Sequence, residues 1–179
     1  MKSKKLKKIL IIGLGSMGRS HLLSFYKKKY IIDLCDKKID QIYNEFICKD
    51  CEFDKQNLYK SIPSNQIYDL VIISTNSKER LNIIEELYLT NKVKFLLLEK
   101  FVFPNIKDYQ TFLTLIKKKN IKNIRVNSWG SYIVNKLNLK FNNKKISIQY
   151  NIKKGSLGTN LTHILDLFLS LTSSKKIFI

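Results

Sequence analysis

The sequence predicts an α/β fold: a doubly wound parallel sheet over residues 1–128, followed by an incomplete α+β second domain over residues 129–179. Three observations carry the prediction. Short continuous apolar runs recur along the chain, segments of helical period fall between them, and Gly13-Leu-Gly15-Ser-Met-Gly18 stands between the first run and the first helix. A continuous apolar run marks a strand covered on both faces. Regular alternation of such strands with helices implies parallel pairing through right-handed crossovers.

Taken in order, Lys8–Gly13 (KILIIG) reads as the first strand, Met17–Lys28 as a helix and Tyr30–Cys35 (YIIDLC) as the second strand. Ile39–Phe46 is helical, Cys51–Phe53 a short strand and Gln56–Ile62 a short helix. Leu70–Ser74 (LVIIS) is a buried strand, and Lys78–Leu89 puts Leu81, Ile84 and Tyr88 on one helical stripe. Phe95–Leu98 is a strand, Ile106–Lys119 a helix and Ile124–Asn127 the last strand of the first domain. Beyond Trp129 the pattern changes. Tyr132–Leu139 is helical, Lys145–Ile152 alternates like a half-solvated strand, and Leu161–Leu171 is an apolar helix. One strand, one helix and a stub do not close a second core, so this segment is expected either to associate through strand pairing, giving a homo-oligomer, or to be locally disordered.

Composition narrows the function classes. The 179 residues are 44% hydrophobic, ample for a core. No apolar run approaches the roughly 18 residues of a membrane span. The opening MKSKKLKKILIIGLG imitates a signal peptide, but its apolar stretch is short and no small-residue cleavage site follows. A soluble, cytoplasmic chain is expected. The net charge is +19, and of the 33 basic residues only Arg19, Arg80 and Arg125 are not lysine. Alanine is absent while Lys, Ile and Asn abound, the mark of an AT-rich coding sequence. The lysines are spread over every segment, whereas nucleic-acid binders cluster them and favour arginine's bidentate fork. No specific nucleic-acid partner is expected, only salt-sensitive adhesion to polyanions. Cys35, Cys48 and Cys51 are too few for a disulfide scaffold. Cys48 and Cys51 have metal-knuckle spacing, but no second such pair exists and His21 and His163 are distant, so no metal site is expected.

The chemistry gathers at strand ends. In a GxGxxG loop between strand and helix, Gly13 permits the tight turn, Gly15 lets the backbone approach a pyrophosphate and Gly18 lets helix and strand pack closely. Leu14, Ser16 and Met17 complete the loop, and the helix start offers N–H groups to phosphates. Asp36, 18 residues past Gly18 and at the end of the second strand, is placed to accept from adenosine ribose hydroxyls. Lys37 beside it would attract a 2′-phosphate that Asp36 repels, so NAD is expected, with NADP possible. Ser74, Thr75 and Asn76 stand at another carboxyl end, where open α/β sheets bind ligands; Asn76 also suits a helix N-cap. Glu99 and Lys100 follow four apolar residues at the same edge, and a lysine there can donate to a hydroxyl or take its proton.

These features resemble the glucose–fructose oxidoreductase / inositol dehydrogenase (Gfo/Idh/MocA) family. ILIIGLGSMGRSHL, LVIISTNSKERLNII, FLLLEKFVFPN and GTNLTHILDLF carry the resemblance, which spans residues 8–169. It implies a Rossmann domain and hydride transfer between a nicotinamide ring and a hydroxyl carbon of a sugar or nucleotide sugar. Its catalytic groups map onto Lys100, from a Glu-Lys-Pro motif, and onto His163 with Asp166, from a His-x-x-Asp helix. Phe101 stands in place of that motif's proline. Thr159 replaces an aspartate common before the histidine, with Asn160 as a polar substitute against the substrate. The VNSWGSY stretch resembles a subgroup associated with surface-polysaccharide biosynthesis. The family's second domain covers the active site with an open sheet, and this sequence ends soon after the His-x-x-Asp helix. The expected alternative is therefore a truncated, non-catalytic dinucleotide-binding protein.

Overall fold

The computed structural model describes residues 7–47, 57–138 and 157–172. It falls into two compact units, Met1–Val126 and Asn127–Ile179. The first begins with β1 (Lys7–Ile12), α1 (Ser16–Phe25) and β2 (Tyr30–Cys35). There follow α2 (Ile39–Ile42), running into a π-helical turn at Tyr43–Ile47, and the short strands β3 (Leu58–Tyr59) and β4 (Ile67–Tyr68). β5 (Leu70–Ile73), α3 (Ser77–Thr90), β6 (Lys92–Val93), β7 (Leu96–Glu99), α4 (Ile106–Lys119) and β8 (Ile124–Asn127) complete the order.

Six strands form one sheet in the order β3-β2-β1-β5-β7-β8, with β1·β2, β1·β5, β2·β3 and β5·β7 parallel. The chain leaves β3 at one edge and returns on the far side of β1, so the topological switch lies beside β1. This is where doubly wound sheets open a crevice at their carboxyl ends. Strand alternation between two covered faces explains why β1 is apolar from Ile9 to Ile12. Ile9 and Ile11 join Leu22, Ile32 and Leu34 in the core under α1 and α2. Leu10 and Ile12 join Val71, Ile73, Ile84 and Phe112 in the core under α3 and α4. Each such side chain contributes about 1.5–3 kcal/mol on full burial, and a polar residue at any of these positions would break one face.

The helix starts follow local chemistry. Asn76 caps α3 by accepting from Lys78 N, and Asn105 caps α4 by accepting from Asp108 N. Asn120 ends α4 in the left-handed region, after three lysines that favour the negative helix end.

From Leu58 on, the expected helix over Gln56–Ile62 is not formed. Leu58 and Tyr59 instead pair with Leu34 and Cys35 as the edge strand β3. Tyr59 O also accepts from Asp36 N, so the segment satisfies its backbone groups across the sheet rather than within a helix turn. α1 ends at Phe25, before the exposed Lys27–Lys29, earlier than expected. A second small parallel sheet pairs β4 with β6. The expected strands Cys51–Phe53 and Lys145–Ile152 lie outside the described residues, as do Cys48 and Cys51.

In the second unit, α5 (Gly130–Lys136) packs on α6 (Leu157–Thr172). A Cβ on Gly130 would lie 2.3 Å from Leu167 N and 2.6 Å from Asp166 Oδ2, so only glycine allows this approach. No described helix is long and apolar enough to cross a membrane.

Candidate dinucleotide and catalytic site

The three glycines after β1 play different parts. Gly13 has φ +84°, a conformation side chains avoid, and a Cβ there would sit 2.7 Å from Thr75 Cγ2. A Cβ on Gly18 would come within 1.9 Å of Gly13 O. At Gly15 a Cβ would meet nothing within 4 Å. Gly13 and Gly18 thus close the turn against the sheet, while Gly15 faces open space at the start of α1. That helix start has no side-chain cap and no acidic residue in its first turn. It is a cradle with room and N–H groups for an anion.

Neighbouring strand ends hold the loop. Ser74 Oγ donates to Gly13 O at 2.9 Å, and Gly13 N donates to Cys35 O. Asp36 Oδ2 accepts from Leu14 N at 2.7 Å, and its Oδ1 accepts from Lys38 N at 2.8 Å. Each carboxylate oxygen has capacity for a further donor. Leu14 gives its N–H to Asp36 and buries its side chain, while Ser16 and Met17 are exposed. Beside the loop lies a cleft of about 330 Å³ lined by Gly13, Asp36, Lys37, Ile62, Thr75 and Ile83, among others. A carboxylate beside apolar walls suits a ribose and an aromatic base, so these residues fit the adenosine half of a dinucleotide. Lys37 reaches Glu79 at 3.3 Å, both side chains exposed. Burial, with Asp36 second, pushes the Cys35 thiol up to about 12.

The end of β7 is a buried polar corner. Glu99 is 5% exposed, and its Oε1 lies 2.7 Å from His21 Nε2 on α1. Arg80, 2% exposed on α3, donates to the carbonyls of Glu99 (2.6 Å), Phe101 (2.5 Å), Val102 (3.0 Å) and Thr75 (2.6 Å). Burial lowers its pKa, with Glu99 opposing. Phe101 stands where the resembled motif has proline, and here the guanidinium fork fixes the backbone on either side of half-buried Lys100. The Thr75 contact ties this corner to the carbonyl beside the glycine loop. Asn76 serves as the α3 cap.

Sequence reasoning passed over His21 and Arg80. Arg80 carried a signal nonetheless, as one of three arginines among 33 basic residues, at a place where lysine's single ammonium could not span four carbonyls. His21 sits three residues after Gly18, within the first turns of α1.

The second unit holds the other expected residues. Asn160 lies in the first turn of α6 and His163 one turn on. His163 Nδ1 is 3.3 Å from Ser128 Oγ, which donates to Asp166 Oδ2 at 2.7 Å. The Trp129 ring lies against the imidazole, with centroids 5.3 Å apart. Among the described residues, no three His, Cys, Asp or Glu side chains converge as a metal site.

No protein-family model matches the chain, and no curated protein matches it. Solved structures do. Scyllo-inositol dehydrogenase from Lactobacillus casei, with bound cofactor NAD(H) and scyllo-inositol, is 18% identical at a TM-score of 0.54. The match covers 75% of this chain and 42% of that one. An oxidoreductase from Agrobacterium radiobacter, in complex with NAD+, L-tartaric acid and magnesium, is 17% identical over 75% of this chain and 41% of its own, at 0.54. A probable dehydrogenase from Thermotoga maritima is 17% identical over 72% and 38%, at 0.53. The chain spans about two-fifths of the length of these proteins. Its structural neighbours are oxidoreductases of the Gfo/Idh/MocA type, and with them it shares a Rossmann-type fold.

Proposed function

We propose that the chain binds NAD at the carboxyl edge of its sheet and serves an NAD(P)-dependent oxidoreductase acting on a hydroxyl of a sugar or nucleotide sugar, as in surface-polysaccharide biosynthesis. The observation that carries this reading is the meeting of three strand ends. Gly13 after β1 lies against Thr75 after β5, and Asp36 after β2 accepts from Leu14 N. Bound NAD would accept a hydride from the carbon that bears the substrate hydroxyl. The Asp36 carboxylate receives the ribose hydroxyls, and the open face at Gly15 admits the pyrophosphate. The same carboxylate repels a 2′-phosphate, and Lys37 is engaged by Glu79, which favours NAD over NADP. Lys100 Nζ and the His163 imidazole are the groups proposed to hold or take the hydroxyl proton, with Asn160 against the substrate. Residues 1–128 are proposed as the dinucleotide domain and 129–179 as the start of a substrate domain.

Because the chain spans about two-fifths of its neighbours' length, binding and turnover are tested separately. NADH titrated by its fluorescence should bind the purified chain saturably, and Asp36→Ala should weaken NADH more than NADPH. Lack of binding refutes the reading. Cyclic polyols, free sugars and nucleotide sugars are then offered with NAD. Turnover lost in Lys100→Ala supports an enzyme, and binding without turnover supports a non-catalytic dinucleotide-binding protein.

A further inference from the structure

Ser128 and Trp129 contact the His163 imidazole and Ser128 also contacts Asp166, so the hydrogen of the Ser128 hydroxyl can be placed. A serine hydroxyl has a single hydrogen and two lone pairs, while an ionised carboxylate only accepts. Ser128 Oγ lies 2.7 Å from Asp166 Oδ2, a normal length for a hydroxyl donating to a carboxylate, so the serine hydrogen is committed there. The 3.3 Å contact between the same oxygen and His163 Nδ1 must then take its hydrogen from the ring. Asp166 follows His163 by three residues on α6, so both face Ser128 from one side of the helix. Gly130, too close to Asp166 for any side chain, brings Ser128 and Trp129 up to that face. The Trp129 ring limits rotation of the imidazole.

We propose that Ser128 is a positioning residue that, anchored by Asp166, holds neutral His163 as its Nδ1–H tautomer and leaves the lone pair on Nε2. Resting on the oxidoreductase reading, this gives His163 its role. Nε2 accepts the hydrogen of a substrate hydroxyl and takes its proton, a role the opposite tautomer lacks.

The chain has only two histidines, so ¹⁵N-histidine labelling of the full 179-residue protein resolves the question, with His163→Gln assigning the signals. At alkaline pH, His163 should show a protonated, pyrrole-type Nδ1 and an unprotonated, pyridine-type Nε2. Ser128→Ala should move the ring toward the Nε2–H form, Ser128→Thr should restore the native pattern, and the His21 signal should stay unchanged in both. An Nε2–H tautomer in the unaltered protein overturns the proposal on its own, as does a pattern indifferent to Ser128→Ala. The spectra involve neither cofactor nor turnover, so a failed enzyme reading shows in the NADH titration and leaves this outcome separate.

Discussion

His21 Nε2 and Glu99 Oε1 meet at 2.7 Å across 78 residues of sequence. The contact joins the helix that starts at the glycine loop to the strand end that presents Lys100. Glu99 is almost fully buried, so this imidazole is a main polar partner in its surroundings. His21→Ala should leave the carboxyl group without that partner and cost roughly 1–3 kcal/mol. Urea unfolding of the two proteins checks the value, and His21→Gln, whose amide still donates, should recover part of it. An alanine variant as stable as the parent would show the contact to be incidental.

Arg80 supports a second prediction. Its guanidinium holds four carbonyls drawn from the ends of β5 and β7. Arg80→Lys keeps the charge but offers a single ammonium, so several buried carbonyls lose their donor. A loss of about 2–4 kcal/mol is expected, one to two groups at the usual cost of an unsatisfied buried acceptor. Amide exchange around Lys100–Phe103 should quicken more than exchange in β1. Uniform acceleration across both segments would mean that Arg80 supports the whole domain and not this corner.

Legibility in the sequence followed the range of the interactions. Ile9–Ile12 and Leu70–Ile73 are apolar at every position because each side chain meets one of two cores, so the strands show without knowledge of their partners. Leu58–Tyr59 spans two residues, too few for any period, and its strand character comes from pairing with Leu34 and Cys35. The same holds for Lys92–Val93. The glycine loop and Asp36 were readable because their spacing is itself the requirement of the turn. His21 and Arg80 were not, since what they bond to lies 78 residues away in one case and about 20 in the other.

The alkaline limit of stability should bear the mark of buried acids. The Cys35 thiol is pushed up to about 12 by burial, and burial raises Tyr88 to about 12 as well. Their ordinary values are 9.0 and 10.0. Above these values the unfolded chain releases protons that the folded chain keeps, so the unfolded state binds fewer protons and stability falls as pH rises. The contribution is fully present below about pH 9 and is lost toward 12, at up to about 1.4 kcal/mol per pH unit for each group. Urea midpoints at pH 8 and pH 10.5 test this. Cys35→Val, which removes one group while keeping the volume, should flatten the slope.

The glycine loop yields the sharpest contrast, because two substitutions one turn apart should fail differently. A Cβ at Gly15 meets nothing within 4 Å, and the residue's φ of −65° suits any side chain. Gly15→Val should therefore fold normally, within about 0.5 kcal/mol of the parent as for other surface changes. Its isopropyl group nevertheless occupies the space proposed for the pyrophosphate, so NADH affinity should fall by 100-fold or more, on the order of 3 kcal/mol. At Gly18 the added carbon would lie 1.9 Å from Gly13 O, a backbone atom that cannot move without opening the turn. Gly18→Ala should thus lose stability first, by roughly 1–3 kcal/mol as for other overpacked sites, and lose binding only as a consequence. Thermal unfolding and NADH titration on both variants separate the two effects. A Gly15→Val protein that folds and binds NADH as well as the parent would remove the dinucleotide from this edge of the sheet.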